Sequence, residues 1–360
     1  MSTLVAGALA RGGWRVGLYT SPHLVSFRER ILVDGTPIGE EAVAMWTERL
    51  RPLMLEREAT FFEASTAIAF ADFAARGAEI AVIEVGLGGR LDSTNVVEPV
   101  VAGITKIARD HMKYLGDSLE EIAAEKAGIA KPGVPLVVGE TDPHLVRVLR
   151  EAADRTVAQA APGQRARVRL VAPDARWTGA LGLAGPHQRR NAAVAAAVLD
   201  ALPAPYRPAP EAIAAAFAEA RLPGRLDRRG RWLFDVAHNP DGMAALVDAL
   251  RAEPPQGPVH ALVSILGDKE WPAMLVRLDE VVDRGVLTIA PSAAGRQWDL
   301  EWLRRWLADP SRPPARASWT LIPDFGQALE AVRQGAGTIL VTGSFHTVGD
   351  VMEALGMAPL

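Results

Sequence analysis

Lys126 is the residue whose placement in this sequence most clearly indicates chemistry. It shares one helical face with Leu119, Ile122 and Ile129, at spacings i, i+3, i+7 and i+10, and so interrupts an apolar stripe. No acidic residue lies three or four positions away to pair with it. Because burying an unpaired ammonium is costly, the site must lower the pKa of Lys126, pair it through space or modify it. A stem that lets the ammonium reach water is the alternative.

A second signal is the glycine-rich segment 84–95, which reads Glu-Val-Gly-Leu-Gly-Gly-Arg-Leu-Asp-Ser-Thr-Asn and directly follows an apolar, strand-like run. Glycines allow the backbone to approach a ligand closely. For the glycines alone, a turn that simply leaves the sheet is the simpler interpretation. The string as a whole is far more specific than its glycines.

The elements around these residues alternate between strands and helices. We predict a helix over 2–10, stopped by Gly12-Gly13, and a strand over 15–19. Further predicted strands are 80–85, 100–107 and 135–138, and predicted helices are 63–75 and 119–130. Parallel sheets place ligand-binding loops at the carboxyl ends of their strands, so the residues after these strands are the informative ones.

A second series of the same kind begins near Trp232, with predicted strands 232–236, 261–265, 286–289 and 339–341. Between the two series, Arg221-Leu222-Pro223-Gly224-Arg225 follows a helix-like stretch, 211–220, and Pro-Gly marks a boundary. We therefore predict two domains, residues 1–222 and 223–360, with a hinge near Pro223-Gly224. A chain of 360 residues is long enough for two cores.

Composition narrows the function classes. Lys and Arg are scattered and the net charge is only −4, which argues against nucleic acid as a partner. The chain has no cysteine, so any metal must use oxygen or nitrogen ligands, and a cytoplasmic location is expected. Residues 4–10 are apolar, but no positive charge precedes them, so we expect helix rather than a secretory signal. No stretch approaches the length of a membrane span.

The glycine-rich string has companions whose order and spacing carry a resemblance. They are Thr20-Ser21-Pro22-His23-Leu24, Asp110-His111, Glu125-Lys126-Ala127-Gly128-Ile129, Pro223-Gly224-Arg225, Asp235-Val236-Ala237-His238-Asn239-Pro240, Asp268-Lys269 and Thr342-Gly343-Ser344. Together they resemble the folylpolyglutamate synthase/dihydrofolate synthase family of the Mur ligase superfamily, over essentially the whole chain. The resemblance implies an α/β fold, with a P-loop-type parallel-sheet domain followed by a smaller Rossmann-like C-terminal domain.

The resemblance also implies an activity. Such enzymes use ATP to convert a carboxylate on a pterin-bearing substrate, dihydropteroate or a folate, to an acyl phosphate, which the amine of L-glutamate then attacks. Ser21, Glu63 and His111 match the family's Mg²⁺ ligands, and Lys126 matches a carbamylated lysine that helps to organise the metal site. Lys126 and His111 are therefore the predicted catalytic residues. For Glu63, an ordinary acid in the first turn of a helix is the alternative, and His111 on its own would more often be structural.

Further matches concern the nucleotide and the pterin. Asn191, Arg225, Asp235 and His238 match ATP contacts of the family, and Asp92 matches a pterin-site residue. Arg225 could instead form a plain hinge salt bridge, since a guanidinium near a domain boundary has many uses.

The sequence departs from the family pattern at the phosphate-binding loop. Members carry a Gly-Thr-Asn-Gly-Lys-Gly-Ser type loop just before the helix that here begins at 2, and nothing in the first 20 residues supplies it. We expect the natural start about 50 residues upstream, and a chain that is inactive without that loop, with unpaired strand edges where its strand would lie.

Two alternatives stay open. The chain could be a non-catalytic remnant that binds a folate or a partner protein, or it could be another Mur-type amide ligase. A monomer is the expectation that the family resemblance gives.

Overall fold

The structure is a computed structural model that describes residues 1–310 and 316–359, and it divides into two compact units. The first comprises Met1–Gly182 and Gln188–Ala220, and the second comprises Leu183–His187 and Arg221–Leu360. The main crossing between the units thus lies at 220/221, close to the sequence-based boundary at 222/223. The short excursion at 183–187 has no counterpart in that prediction.

The first unit alternates strands with helices, as expected for an α/β fold. Its strands are β1 Val16–Tyr19, β2 Ile31–Val33, β3 Thr36–Pro37, β4 Ile80–Ile83, β5 Ala102–Ile104, β6 Pro135–Val138 and β7 Arg167–Leu170. Its helices are α1 Ser2–Arg11, α2 Glu40–Glu56, α3 Phe61–Ala75, α4 Met112–Leu115, α5 Leu119–Ala127, α6 Pro143–Ala160, α7 Pro186–Ala201 and α8 Pro210–Glu219.

Local chemistry explains where the helices near the site begin. Thr60 and Glu63 form a capping box at the start of α3, and Ser118 and Glu121 form another at α5. In each, the cap hydroxyl accepts from a backbone N–H of the first turn, while the acid accepts from the N–H of the cap residue. The first of these boxes involves Glu63, a predicted site residue, and the second fixes the start of α5, whose last turn carries Lys126.

The strands of the first unit form two sheets. In one, in the order β3-β2-β1-β4, strands β1 and β4 are parallel while β2 and β3 run antiparallel to their neighbours. In the other, β5, β6 and β7 are all parallel. The β2–β3 hairpin adds an antiparallel edge that the sequence analysis missed. Its turn is Asp34-Gly35, with φ of 51° and 72°, and Asp-Gly between strands is a strong hairpin signal.

Two strands of the first unit pair on one side only within the part of the chain that the structure describes. Strand β4 pairs with β1, and β5 pairs with β6. The side chains of β4 are half-buried or exposed although all four are apolar, whereas those of β1 are fully buried. Apolar strands with an open edge agree with the expectation of unpaired strand edges in this unit.

The second unit has one six-stranded sheet in the order β12-β11-β10-β13-β9-β8, parallel except for β8. Its strands are β8 Asp227–Arg229, β9 Trp232–Phe234, β10 Val259–Val263, β11 Arg284–Leu287, β12 Ser318–Leu321 and β13 Thr338–Thr342. Its helices are α9 Pro240–Ala252, α10 Trp271–Leu278, α11 Leu300–Ala308, α12 Phe325–Arg333 and α13 Phe345–Ala354. All residues of β10 and β13 are buried, as the central strands of a covered parallel sheet should be.

Each unit has its own hydrophobic core. In the second unit the core includes Leu233, Val263 and Leu340 from the sheet and Trp271 from α10. The predicted α/β class is confirmed. None of the helices within 1–310 and 316–359 combines the length and the apolar character that crossing a membrane requires.

Candidate functional site

The glycine-rich segment lies against the C-terminal end of α5. A Cβ on Gly89 would come within 2.9 Å of the Glu125 carbonyl oxygen and 3.0 Å of that of Lys126, and a Cβ on Gly128 would come within 2.6 Å of the Arg90 Cα. The N–H of Arg90 donates to the Glu125 carbonyl at 2.9 Å. These glycines therefore permit close contact between segment 84–95 and α5, and that contact fixes the segment beside the helical turn that carries Lys126.

Asp92 braces the same segment from within. One carboxylate oxygen accepts from the N–H groups of Gly86 and Leu87 at 3.1 and 2.8 Å, and the other accepts from the N–H and hydroxyl of Thr94. Four donors thus hold the Asp92 carboxylate in place. This structural function stands beside its predicted contact with a pterin, which stays a prediction.

Lys126 is half-buried, and burial lowers the pKa of its ammonium, while the charges of Asp110 and Asp92 act in the opposite direction. The fold therefore provides one of the outcomes that the sequence allowed, a lowered pKa, which the charges of two carboxylates partly oppose. The side chain is not exposed, as a stem reaching fully into water would be. Segment 84–95, which carries Asp92, packs on α5, which carries Lys126.

His111 lies at the start of α4 in a left-handed backbone conformation, with φ of 53°. Such a backbone is uncommon outside glycine and worth examining for a functional reason. The Asp110 carboxylate accepts from the His111 N–H at 2.9 Å, and the same oxygen lies 3.9 Å from the ring Nε2. The imidazole is about half exposed and so accessible to a ligand.

Ser21 and Glu63, the other predicted metal ligands, follow β1 and begin α3. The Ser21 N–H donates to the Glu84 carboxylate at 3.1 Å. The exposed Glu63 carboxylate accepts from the N–H and hydroxyl of Thr60, both at 2.7 Å, and these hydrogen bonds lower its pKa. Glu63 therefore has the capping function that was its alternative interpretation. A metal site shared by Ser21, Glu63 and His111 stays a prediction.

The donor chemistry of these three residues fits Mg²⁺ or Mn²⁺. A hydroxyl, an ionised carboxylate and an exposed imidazole are oxygen and nitrogen donors of the kind these ions accept alongside water. Within residues 1–310 and 316–359, no group of three or more His, Cys, Asp and Glu side chains has metal-binding geometry. The predicted set contains only two residues of those types, so the ion's remaining ligands would be Ser21, water and phosphate oxygens.

The second unit gathers three of the predicted nucleotide contacts. Asp235, at the end of β9, is buried, and burial raises its pKa, whereas Arg225 and two backbone N–H groups lower it. The Arg225 guanidinium carbon lies 5.4 Å from the centre of the Phe345 ring, and the His238 ring centre lies 5.4 Å from the same ring. Phe345 is thus the surface on which Arg225 and His238 rest.

Asn191, the fourth predicted nucleotide contact, lies on α7 in the first unit. Its side-chain N–H₂ donates to the Gln188 side-chain oxygen at 3.2 Å, and Gln188 is buried. The structure thus places Asn191 one helical turn from a fixed polar partner.

Sequence reasoning missed a buried arginine close to the predicted metal ligands. Arg30 is only 8% exposed, and its Nε donates to His23 Nδ1 at 2.8 Å. A nearby network joins the Tyr19 hydroxyl to Thr66, whose hydroxyl lies 2.9 Å from that of Ser93. A charged residue directly before the apolar run 31–33 was the available signal.

Comparison with known proteins agrees with this arrangement. Residues 40–199 match the Mur ligase middle domain family, and residues 224–345 match the Mur ligase glutamate ligase domain family. The dihydrofolate synthase/folylpolyglutamate synthase of Bacillus subtilis is 32% identical over 98% of this chain and 86% of its own length.

Two solved structures are similar along the whole chain. The Mycobacterium tuberculosis folylpolyglutamate synthase, complexed with ADP and AMPPCP, aligns with a TM-score of 0.85 and 30% identity, covering 100% of this chain and 89% of that one. The Yersinia pestis bifunctional folylpolyglutamate synthase/dihydrofolate synthase, complexed with AMPPNP and Mn, aligns with a TM-score of 0.82 and 32% identity, covering 98% of this chain and 85% of that one. Because two Mur ligase domains match in order and relatives align over nearly its full length, the chain belongs to the folylpolyglutamate synthase/dihydrofolate synthase family of ATP-dependent Mur-type ligases.

Proposed function

We propose that this protein joins L-glutamate to dihydropteroate, to a folylpolyglutamate, or to both, through an acyl phosphate, with release of ADP and phosphate. Membership of the family supports the reaction class. The observation that carries the proposal for this chain is Lys126, half-buried beside Asp110 and Asp92 at the glycine-rich segment. A protein that only bound folate would gain nothing from this costly placement.

Ser21, Glu63 and His111 would hold Mg²⁺, which when bound neutralises charge on the transferred phosphoryl group. The surrounding chain favours the ionised form of the Glu63 carboxylate and leaves the His111 imidazole accessible. The hydrogen bonds from Thr60 favour the ionised form of Glu63, and His111, whose backbone is left-handed, presents an accessible imidazole.

Lys126 would act as a carbamate. Its lowered pKa favours the neutral amine, the form whose nitrogen can attack the carbon of CO₂. The new N–C bond leaves a carbamate anion once the nitrogen loses a proton to solvent. Because the product is anionic where the ammonium was cationic, it can orient the metal's ligands or its waters.

Arg225, Asp235 and His238 would contact ATP in the second unit. Arg225 is held over Phe345, which leaves its planar N–H groups for phosphate or ribose oxygens. His238 Nδ1 lies 3.0 Å from the Val236 carbonyl oxygen, so this nitrogen carries the hydrogen in the neutral ring and Nε2 is the acceptor. Asn191 would contact the nucleotide from the first unit.

One observation favours a second candidate, a non-catalytic protein that binds a folate. No lysine in the 360 residues follows a glycine, so the phosphate-binding loop of the family is not among them. Two features weigh against this candidate: Lys126, and the cluster of Arg225, Asp235 and His238. The absence of the loop does not help to choose between different Mur-type ligases. A cytoplasmic location and a monomeric state stay predictions, supported by the cysteine-free sequence for the former.

The direct test is ADP release by a purified form of the chain that also carries the phosphate-binding loop, with Mg–ATP, L-glutamate and either dihydropteroate or a folylmonoglutamate. The proposal expects release that depends on both organic substrates and a product one glutamate heavier by mass spectrometry. Tight folate binding by a form that also carries the phosphate-binding loop, without any such product, would favour the non-catalytic alternative.

A further inference from the structure

Arg30 is a buried cation without an anionic partner in the described chain. It lies directly before β2 and is only 8% exposed. Its Nε donates to His23 Nδ1 at 2.8 Å, and its guanidinium carbon lies 5.3 Å from the centre of the Phe61 ring. Across residues 1–310 and 316–359, no carboxylate comes within ion-pair distance of it. Since arginine stays protonated in proteins, the fold retains an uncompensated charge there.

The neighbouring Glu29 does not supply the missing anion. Its two carboxylate oxygens accept from the backbone N–H groups of Leu24, Val25 and Ser26, at 2.7 to 2.9 Å. Glu29 therefore shapes the loop that carries His23 rather than pairing with Arg30. Burial has the largest effect on the pKa of Arg30 and lowers it. The charges of Tyr19 and, more weakly, of Glu29 raise it.

His23 and Phe61 hold the guanidinium without neutralising it. Because Arg30 can only donate, His23 must accept at Nδ1 and is therefore a neutral imidazole with its hydrogen on Nε2. The Phe61 ring attracts the cation through its face and is itself 63% exposed. Orientation of Arg30 is thus fixed from two sides, while its charge is left for something else.

The terminal nitrogens of Arg30 are the groups that remain to bind a ligand. Neither Nη atom donates to a described residue. Trp46 Nε1 and Arg190 Nε are examples of side-chain atoms that are fully buried and have no hydrogen-bond partner. The two Nη atoms of Arg30 do not belong to that group, so they retain contact with solvent. Two accessible N–H groups on a rigid planar fork match the two oxygens of a carboxylate.

We propose that Arg30 binds the carboxylate of the acid substrate, with His23 and Phe61 as its positioning residues. This inference rests on the proposed function. A carboxylate is favoured over a nucleotide phosphate because of what lies nearby. Tyr19, whose hydroxyl interacts with the Arg30 charge, connects through Thr66 to Ser93, the neighbour of the predicted pterin contact Asp92.

The test compares Arg30→Gln with Arg28→Gln. The second variant removes the same charge from the same short helical turn, Phe27–Arg30. Arg28 instead donates to the Ile38 carbonyl and pairs with Glu40. Dihydropteroate binding is measured by isothermal titration, in a form that also carries the phosphate-binding loop, and circular dichroism checks each fold. Losing a charge-assisted contact should weaken dihydropteroate binding roughly tenfold to a hundredfold in Arg30→Gln alone. The Kd for Mg–ATP, measured in the same preparations, should stay unchanged.

A measurement on the unaltered chain covers the case in which Arg30→Gln does not fold. Dihydropteroate and its carboxamide differ only at the group that Arg30 would bind, so the amide should bind at least about tenfold more weakly. Equal affinity for acid and amide, or equal binding of dihydropteroate by the folded Arg30→Gln variant, overturns the inference about Arg30 alone. A weaker Kd for Mg–ATP rather than for dihydropteroate in Arg30→Gln would reassign the site to phosphate. Failure of the unaltered chain to bind dihydropteroate contradicts the proposed function itself.

Discussion

Burial pushes Lys126 and Asp235 in the same chemical direction, toward the neutral form. In Lys126 it lowers the pKa, and in Asp235 it raises it. Each group has partial compensation from opposite charges, Asp110 and Asp92 for the lysine and Arg225 for the carboxyl. Groups held between two protonation states in this way are more often functional than structural, because the fold could have used an apolar residue instead.

For Lys126, replacement by alanine should abolish ligation, with a fall in kcat of at least about a hundredfold, while the fold survives. An alanine in an apolar stripe is tolerated better than an unpaired charge. Lys126→Arg is the informative companion, since it keeps a cation but cannot form a carbamate. Both variants should be inactive under the carbamate hypothesis, and short carboxylic acids should partly restore Lys126→Ala.

These kinetics would be measured in a form that carries the phosphate-binding loop, with circular dichroism for each variant. An active Lys126→Arg enzyme would show that positive charge, not a carbamate, is what the site needs. Full turnover by Lys126→Ala without added acid would remove Lys126 from the catalytic residues.

For Asp235, the raised pKa makes the stability of the folded chain depend on pH. Between its unfolded value of 3.8 and its higher folded value, the folded state binds more protons than the unfolded state. Stability therefore falls as pH rises through that window and is then constant. Asp235→Asn lacks the titration, so the free energy of unfolding of the natural chain relative to this variant should decrease as pH rises from 3.8.

Urea unfolding of both forms at a series of pH values would measure this difference. Asp299, whose carboxyl pKa is lowered by hydrogen bonds from Trp302 and Glu301, is the matched control, because Asp299→Asn should show the opposite slope. Parallel curves for the natural chain and Asp235→Asn would mean that the Asp235 carboxylate is ionised in both states.

Among single residues, the sequence predicted Lys126 well but not its environment. An apolar stripe with one lysine is visible in the sequence, whereas the charges of Asp110 and Asp92, which belong to other segments of the chain, act on Lys126 only in the folded structure. Arg30 escaped notice for the same reason. Its burial depends on Phe61 and His23, which lie on other elements.

At the scale of elements, the glycine-rich segment and α5 behave as one unit. Gly89 meets backbone oxygens of Glu125 and Lys126, and Asn95 donates to the carbonyl oxygens of Arg90 and Gly128 at 3.1 Å. The sequence could not reveal this, since it left the glycines as either a ligand-binding loop or a simple turn. Their measured surroundings indicate a third purpose, contact with the helix that carries Lys126.

Gly89→Ala should therefore damage both stability and the site. Its Cβ would lie 2.9 Å from a carbonyl oxygen of α5, so the segment must move, at an expected cost of about 1 to 3 kcal/mol. Gly39→Ala is the control in the same unit, since its Cβ meets nothing within 4 Å and its backbone is extended with φ of −70°. Thermal unfolding and ligation kinetics would be compared for the two variants.

A Gly89→Ala protein with the same melting temperature and turnover as Gly39→Ala would contradict the docking of segment 84–95 on α5.

The positions of strands, by contrast, were readily predicted from the sequence. Strand β6 was predicted to the residue, whereas β5 was predicted too long by two residues at its start and three at its end. Apolar runs continue past the point where strand pairing stops, which sequence pattern alone does not show.

At the scale of the whole molecule, the open edges of β4 and β5 and the phosphate chemistry lead to one prediction. The 360 residues contain no Gly-Lys pair, so the phosphate-binding loop of the family, with its lysine, is not among them. The half-exposed apolar side chains of β4 leave a strand edge open to pairing with other chains. We expect the 360 residues, produced as they stand, to bind Mg–ATP weakly, to show no measurable ligation and to aggregate.

A fusion that places a strand and a Gly-Thr-Asn-Gly-Lys-Gly-Ser loop ahead of Met1 should restore ATP binding and turnover and improve solubility. The physical reason is that phosphoryl transfer is positioning and charge neutralisation, and removing even one preorganised donor from such a site costs on the order of 3 kcal/mol. Isothermal titration with ATP and a coupled assay for ADP would be run on both forms, with a fusion whose loop lysine is alanine as the matched control. If the 360 residues alone release ADP with folate and glutamate as fast as the fusion does, another segment binds the phosphates, and Gly86 to Arg90 would be the first to examine.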